Sequence, residues 1–203
     1  MTVRTEIHGG IPAEQLTPEV TEALKRLAEE NGLLRAALAE ARARVGDLEE
    51  SSEVDPVTGL PNERELARAL ERVVSQSERH GTPAAMISID LKGLAAINER
   101  HGRIAGDAAL SHVARLLRSL IRTSDVAARS GAGVALLLDH LDPDSAVETG
   151  ERIAHYVASQ PLDLGSSQVA LDATVGVASI LPGDSVEDVL ARAERNLERV
   201  KEF

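Results

Sequence analysis

The sequence predicts an α+β domain, in which a central mixed β-sheet is flanked by helices, preceded by a parallel dimeric coiled-coil helix. Two patterns predict this fold. Apolar residues recur at alternating steps of four and three between residues 20 and 48, which is the heptad repeat of a coiled coil. After Pro56 and a first amphipathic helix, strand and helix patterns follow in the order β-α-α-β-β-α-β-α, which is typical of helices packed over a sheet.

The heptad repeat gives the first helix one continuous apolar seam. Its core positions are occupied by Leu24, Leu27, Asn31, Leu34, Leu38, Ala41, Val45 and Leu48. Asn31 at an a position favours a parallel two-stranded register, because two facing asparagines can hydrogen-bond across the seam. The flanking charges agree, since Glu30 can pair with Arg35 of a second chain, and Arg44 with Glu49. The alternative is a single amphipathic helix that folds back on the rest of the chain.

The chain divides into three predicted segments. Residues 1–16 contain the motif HGGIP without periodicity and are predicted to be a flexible N-terminus. Residues 17–50 form the coiled-coil helix, which starts with Thr17 as N-cap and Pro18 in the first turn. Pro56 disfavours helix at the residue before it, so the globular domain is predicted to span residues 51–203.

The globular domain contains five predicted helices and four predicted strands. The helices span residues 63–79, 93–100, 106–121, 144–158 and 185–201. The strands are segment 84–91, the hairpin strands DVAAR and VALLLD, and segment 169–179. The hairpin strands are joined across the tight turn SGAG, so the residues around this turn are predicted to lie on a β-hairpin.

Charge and composition exclude several functional classes. The chain has 33 acidic and 22 basic residues, a net charge of -11, which repels nucleic-acid backbones and anionic membranes. It has one Phe, one Tyr and no Trp, so it lacks the aromatic surfaces on which single-stranded bases stack. It has no Cys and no apolar segment long enough to cross a bilayer. We therefore expect a cytoplasmic protein that binds neither nucleic acid nor membranes.

The histidines show no metal-binding pattern. His101, His112, His140 and His155 each stand alone, without a second histidine one helical turn away. We interpret them as surface or partly buried residues, so the sequence predicts no histidine-based metal site.

Several motifs of the globular part occur together in one known family. They are DPVTGLPN at residues 55–62, IN and G-x-x-x-GD within 97–107, RTSD at 122–125, and AERN followed by a lysine near the C-terminus. The chain therefore resembles the GGDEF domain, the catalytic domain of bacterial diguanylate cyclases, over roughly its last three quarters. The resemblance implies a nucleotidyl-cyclase-like fold and a role in bacterial second-messenger signalling.

The hairpin turn departs from the family pattern. Its five residues are Gly131, Ala132, Gly133, Val134 and Ala135, where the family has Gly-Gly-Asp/Glu-Glu-Phe. In the family, the first acid binds a divalent metal and helps to place the GTP triphosphate. The second is also needed for turnover, either as a metal ligand or as the group that helps to activate the 3′-hydroxyl. Phosphoryl transfer requires neutralised phosphate charge and an aligned nucleophile, which Gly133 and Val134 cannot supply. The resemblance thus implies an inactive cyclase that requires no cofactor and is not expected to bind magnesium.

Four other residues match positions of the family's GTP site. Asp90 matches the remaining metal carboxylate, and Lys201 matches a phosphate-binding lysine. Asn98 and Asp107 match residues that contact guanine. These matches imply a vestigial guanine nucleotide pocket without a competent metal site. The alternative is that Asn98 and Asp107 only cap helices and bond loops.

The motif RTSD lies five residues before the turn, where many family members bind the product cyclic di-GMP. The resemblance implies that Arg122 and Asp125 form this inhibitory site, together with Arg152 from the helix after the hairpin. A guanidinium group can bind guanine or phosphate with two hydrogen bonds, and a carboxylate can accept guanine N–H groups. The alternative is a surface salt bridge between Arg122 and Asp125.

These features leave three hypotheses for function. The first is a catalytically inactive sensor or effector of cyclic di-GMP, which signals through its homodimer to an unidentified protein partner. A coiled coil would hold two such domains close together and raise their effective concentration for one another. The second is a weakly active diguanylate cyclase that converts GTP to cyclic di-GMP. The third is a dimeric scaffold that does not respond to nucleotides.

Overall fold

The computed structural model describes residues 17–51, 53–165 and 167–201, without the side chains of residue 43 and of residues 45–51. The chain separates into two compact units, Met1–Ser51 and Ser52–Phe203, and each is described by itself. The predicted flexible N-terminus, residues 1–16, lies outside the described residues. Across the described part of the chain, no helix combines the length and the apolarity needed to cross a membrane.

The first unit contains helix α1, Pro18–Ser51, of 34 residues. The hydroxyl oxygen of Thr17 accepts a hydrogen bond from the backbone N–H of Val20 at 3.3 Å, as the predicted N-cap should. The helix predicted for residues 17–50 is therefore present, with a length of about 51 Å at 1.5 Å per residue.

The predicted seam of α1 has no covering partner within its own unit. Leu27, Leu34 and Leu38 are 60%, 63% and 51% exposed, and Leu24 is half-buried. The side chains of Val45 and Leu48, which continue the predicted seam, lie outside the described ones. The dimeric coiled coil remains a prediction, because a single chain cannot test it.

The second unit contains five helices and six strands within its described residues. The helices are α2 (Glu63–His80), α3 (Leu94–His101), α4 (Arg103–Leu120), α5 (Pro143–Ala158) and α6 (Val186–Lys201). The strands are β1 (Ala84–Leu91), β2 (Val126–Ser130), β3 (Gly133–Asp139), β4 (Leu162–Asp163), β5 (Gln168–Val169) and β6 (Ala173–Ile180). This order matches the predicted alternation, with one short additional hairpin formed by β4 and β5.

The central sheet has four strands in the order β2-β3-β1-β6, and all of its pairings are antiparallel. The prediction of a mixed sheet is wrong for the described residues. The prediction rested on the order of strands and helices, which does not determine strand direction, and the buried apolar run of β1 is also typical of a parallel strand. Helices cover both faces of this sheet, so an antiparallel strand gives the same apolar run.

Two boundaries differ from the prediction for identifiable reasons. Helix α4 begins at Arg103 rather than at residue 106, because Gly102 provides its start with a positive φ of 84°. The predicted strand 169–179 is divided into β5 and β6. The division occurs at Asp172, whose carboxylate accepts the N–H of Ala173 at 2.9 Å and pairs with Lys92 at 3.2 Å.

Successive residues of the strands face two separate cores. In β3, Val134, Leu136 and Leu138 pack with α4 and α5 on one face. Ala135 and Leu137 pack with α2 and α6 on the other face. This period of two is the expected geometry of a strand buried on both faces. The sheet and the helices on its two faces form three layers. This packing holds both the β2–β3 turn and the C-terminal end of α6 in place.

Helix α6 is tied to β6 by polar side chains. The guanidinium of Arg192 donates two hydrogen bonds to the carboxylate of Asp184, at 3.0 and 2.6 Å. This pairing holds the pKa of Asp184 below its usual value. The amide of Asn196 donates to the carbonyl oxygen of Val177 at 2.7 Å. These bonds fix the orientation of α6, and with it the position of Lys201 near its end.

Candidate functional site

The turn between β2 and β3 consists of Gly131 and Ala132, with Ser130 and Gly133 paired on either side. Gly131 has a φ of +52°, a conformation that glycine adopts without steric cost. Its N–H donates to a carboxylate oxygen of Glu63 at 2.6 Å. The tight turn therefore requires a residue that adopts a positive φ, and it is anchored to the start of α2.

The next three residues are packed rather than open to the surface. A Cβ atom on Gly133 would lie 2.0 Å from the carbonyl oxygen of Ile89 in β1. Val134 is 2% exposed within one core, and Ala135 is fully buried within the other. The two positions that lack the family's acidic side chains are therefore closely packed, Gly133 against the backbone of β1 and Val134 within a core.

Asp90 and Lys201 lie together in a cleft of about 340 Å³ beneath the turn. The Lys201 ammonium is 2.8 Å from a carboxylate oxygen of Glu198 and 3.0 Å from one of Asp90. Hydrogen bonds with Glu198 and Asp90 raise the pKa of Lys201 above its usual value. The structure therefore joins these two predicted residues directly, with the lysine bound to the carboxylate.

The residues of this cleft do not fit the divalent cation that the acids of the family's turn bind. The carboxylate of Asp90 is paired with an ammonium group, and Gly133 and Val134 have no oxygen-bearing side chain. Among the described residues, no three His, Cys, Asp or Glu side chains cluster in a way that could hold a metal. Oxygen ligands from several side chains or waters are the usual environment of magnesium.

Asn98 and Asp107 belong to the α3–α4 pair and are not among the residues that line the cleft of Asp90. The Asn98 side chain packs against α4, where a Cβ atom on Gly106 would lie 1.9 Å from its amide oxygen. Asp107 follows Gly106 and is exposed. The four residues of the predicted guanine nucleotide pocket thus occupy two places, Asp90 with Lys201 and Asn98 with Asp107.

Arg122, Asp125 and Arg152 line a second cleft, of about 360 Å³. Arg122 and Asp125 belong to the turn between α4 and β2, whereas Arg152 belongs to α5. Helix α5 is positioned by the carboxylate of Asp142, which accepts the N–H groups of Asp144 and Ser145 at its start. The three residues predicted to form the inhibitory site are therefore brought to one cleft by different elements.

The carboxylate of Asp125 organises the turn that carries Arg122. It accepts the backbone N–H of Arg122 at 2.9 Å and that of Asp139 in β3 at 3.4 Å. The carboxylate thus binds backbone groups rather than the Arg122 guanidinium, and the side chain of Arg122 is exposed. This geometry differs from the simple surface salt bridge that the sequence left open.

Five further polar residues line the second cleft and were not predicted as site residues: Asp139, His140, Ser145, Glu148 and Thr149. His140 was interpreted as one of several isolated histidines. Glu148 stands four residues before Arg152 in the predicted helix 144–158, a spacing that places both on one helix face. Asp139 and His140, by contrast, reach the cleft only through the register of β3. The helical spacing could therefore have found Glu148, but the sequence offered no signal for Asp139 and His140.

Comparison with known proteins assigns the second unit to one family. A profile of the family described as "Diguanylate cyclase, GGDEF domain" matches residues 52–203, the larger part of the chain. Diguanylate cyclase DgcP of Pseudomonas aeruginosa is 27% identical over 187 residues, which are 90% of this chain and 27% of that protein. The chain spans between 18% and 33% of the length of the curated relatives that it matches first.

Solved structures have the same fold. Diguanylate cyclase SiaD of Pseudomonas aeruginosa, in complex with its activator SiaC, gives a TM-score of 0.70 at 28% identity, covering 91% of this chain and 71% of that one. The GGDEF domain of DgcB from Caulobacter crescentus, in complex with c-di-GMP, also gives 0.70, at 25% identity. That match covers 74% of this chain and 88% of the DgcB domain.

Proposed function

The chain belongs to the diguanylate cyclase GGDEF domain family, and on that premise we propose that it is a catalytically inactive member that senses cyclic di-GMP. The ligand binds in the second cleft, to Arg122, Asp125 and Arg152. Binding requires no metal or other cofactor. The bound state is transmitted by a changed arrangement of the dimer or by binding to a protein partner.

The loss of catalysis is supported by the packing around the β2–β3 turn. Phosphoryl transfer needs a group that neutralises phosphate charge and one that aligns the attacking hydroxyl. Gly133 and Val134 carry no acid, and Asp90 is paired with Lys201 at 3.0 Å. A cyclase would have to break this ion pair and still find its other metal ligands elsewhere.

The observation that carries ligand binding is the convergence of Arg122, Asp125 and Arg152 on one cleft. Two guanidinium groups can each bind a phosphate or a guanine edge with paired hydrogen bonds. Asp125 keeps the Arg122 turn in place through backbone hydrogen bonds, which reduces the ordering cost of binding. The c-di-GMP complex of the related DgcB domain supports this choice of ligand.

A dimer is the proposed route by which binding becomes a signal. The exposed leucines of α1 offer a seam for a second chain, and a dimer would hold two ligand-binding domains at high effective concentration. The complex of SiaD with its activator SiaC supports protein partners as a second route.

The binding proposal is tested by calorimetric titration of the full chain with cyclic di-GMP. We expect saturable binding by the wild type and a dissociation constant about 10- to 100-fold higher for Arg122→Ala and for Arg152→Ala, because each variant loses a charge-assisted contact. Arg118→Ala is the matched control, since Arg118 is an exposed arginine of α4 that does not line the cleft. No binding by the wild type at about 50 µM ligand, or equal binding by all variants, would contradict the proposal.

The alternative of a weakly active cyclase is tested with GTP and magnesium. We expect no cyclic di-GMP above the level of a reaction without protein, because the turn supplies no acidic side chain. Sustained product formation that scales with protein concentration would establish a cyclase and overturn the proposed inactivity. A nucleotide-independent scaffold, by contrast, would give neither product nor binding in the titration.

A further inference from the structure

His140 stands at the edge of the second cleft in an unusual backbone conformation. Its φ is 55°, and it is the one non-glycine residue with a positive φ in the part of the chain that the structure describes. Residues other than glycine rarely adopt this conformation, and those that do are concentrated at functional sites. The residue follows β3 directly and shares the cleft with Arg122 and Arg152.

The conformation is stabilised by Asp139, which bonds His140 twice. One carboxylate oxygen accepts the backbone N–H of His140 at 3.0 Å, and the other lies 3.1 Å from Nδ1 of its ring. The side chain of His140 nevertheless remains 74% exposed. The ring is thus held by one nitrogen, while most of its surface is exposed and the residue lines the cleft.

The charges of the cleft are not balanced for an anionic ligand. Two guanidinium groups, those of Arg122 and Arg152, face three carboxylates, those of Asp125, Asp139 and Glu148. The cleft therefore has an excess of one negative charge while His140 is neutral. Cyclic di-GMP carries two phosphodiester charges, so its binding is opposed by that excess. Protonation of His140 removes the excess.

The cleft also lacks conventional surfaces for stacking a base. Among the described residues that line it, His140 has the one aromatic ring. Planar groups on which guanine can stack are therefore limited to this imidazole and the two guanidinium groups.

We propose that His140 is a ligand-contacting residue of this cleft, and that it takes up a proton when a dianionic guanine dinucleotide binds. This inference rests on the proposed function, because it concerns the same cleft and the same ligand. It adds a residue to the site and makes the affinity depend on pH in the range where histidine ordinarily titrates.

The direction of the pH effect follows from linkage. A bound phosphate favours the charged imidazole, so binding is strongest at pH values where His140 is already protonated, and it weakens as the pH rises. The Asp139 carboxylate lies 3.1 Å from Nδ1 of the His140 ring. The adjoining cleft, which Asp139 also lines, carries the cations Arg72 and Arg79 and the anion Glu71 of α2.

The experiment is a titration of the full chain with cyclic di-GMP at pH 6 and pH 8, for the wild type and two variants. His140→Asn removes the titrating ring and retains a residue that tolerates a positive φ. His140→Lys replaces it with a cation that stays charged at both pH values. His155→Ala is the control, because His155 is an exposed histidine of α5 that does not line the cleft.

We expect the dissociation constant of the wild type to rise about tenfold between pH 6 and pH 8, as for the loss of one charge-assisted contact. His140→Asn should bind weakly at both pH values, His140→Lys tightly at both, and His155→Ala like the wild type. Equal pH dependence in the wild type and His140→Asn would overturn this inference while leaving the proposed function intact. Absence of wild-type binding at both pH values would overturn the proposed function itself.

Discussion

At the residue scale, Gly133 has no room for a side chain. A Cβ atom there would lie 2.0 Å from the carbonyl oxygen of Ile89, and backbone atoms cannot yield as a flexible side chain can. Val134, the second position that carries an acid in the family, is 2% exposed in an apolar core. A carboxylate at either position would need the hairpin to move away from β1 or a charge to be buried.

This contact predicts an energetic cost for the smallest possible side chain. Gly133→Ala should lower the free energy of unfolding by about 1–3 kcal/mol, because β3 must shift relative to β1 to admit the methyl group. Urea denaturation measures this change. Ala132→Ser, at the exposed neighbouring turn residue, should change the free energy by less than about 0.5 kcal/mol. An unchanged stability of Gly133→Ala would contradict the close approach of the two strands.

The identity of the turn residues was predictable from the sequence, but their packing was not. Gly133 and Ile89 are far apart in the chain, and their contact depends on the register of β3 against β1. The family resemblance predicted that Asp90 and Lys201 belong to one pocket. It did not predict that they form an ion pair, for the same reason. The ion pair depends on the orientation of α6, which Arg192 and Asp184 fix.

At the element scale, the β2–β3 hairpin is tied to the start of α2. The carboxylate of Glu63 accepts the N–H of Gly131 at 2.6 Å, and the carbonyl oxygen of Pro61 accepts the N–H of Arg129 at 2.7 Å. The segment that carries the family's opening signature therefore holds one strand of the hairpin and its turn. Any displacement of the α2 N-terminus would be transmitted to the turn through these bonds.

The tie between α2 and the hairpin can be measured by hydrogen exchange. Glu63→Gln should speed exchange of the Gly131 amide by about fivefold, the effect of losing about 1 kcal/mol from a charge-assisted hydrogen bond. Amide exchange followed by nuclear magnetic resonance gives this rate directly. Glu71→Gln, at another glutamate of α2 outside the turn, should leave the rate unchanged. Identical Gly131 exchange in Glu63→Gln and wild type would show that the bond contributes nothing.

Most elements were predictable because their boundaries have local causes. Strand β1 was predicted at its observed residues, since it is a buried apolar run that follows the turn HGTP. The start of α4 and the division between β5 and β6 were missed. They depend on the positive φ of Gly102 and on the bonds of Asp172, neither of which has a periodic signature.

At the scale of the whole molecule, the chain combines a long amphipathic helix with a domain that belongs to a signalling family. Helix α1 has exposed leucines at predicted seam positions, such as Leu27 and Leu34, and one at Leu33 outside the seam. Apolar side chains at heptad positions gain stability when a second helix covers them. The proposed dimer would bury the seam leucines and leave Leu33 in solvent.

The proposed dimer predicts that substitutions of different leucines in α1 have different effects on the oligomeric state. The wild-type chain should have twice its monomer mass of 21.6 kDa in light scattering coupled to size exclusion. The double variant Leu27→Glu with Leu34→Glu should have the mass of one chain, because facing carboxylates repel within the seam. Leu33→Glu is the matched control and should remain a dimer. A monomeric wild type, or equal effects of all three substitutions, would contradict a parallel coiled coil.

The candidate binding cleft was partly predictable at this scale. Arg122, Asp125 and Arg152 were identified through the family resemblance, and the fold places them on one cleft. Asp139 and His140 were not, because they reach this cleft only through the register of β3, whereas the four-residue spacing of Glu148 and Arg152 is visible in the sequence. Side chains that meet only through tertiary structure leave no spacing in the sequence that could predict them.

The central claim, that cyclic di-GMP rather than GTP is the ligand, is tested most directly by thermal unfolding of the full chain with each nucleotide. A ligand at 100 times its dissociation constant stabilises the folded state by about 2.7 kcal/mol, which corresponds to a rise in Tm of about 5 °C or more. We predict this rise with cyclic di-GMP and no rise with GTP and magnesium. A rise with GTP and magnesium, and none with cyclic di-GMP, would contradict the account.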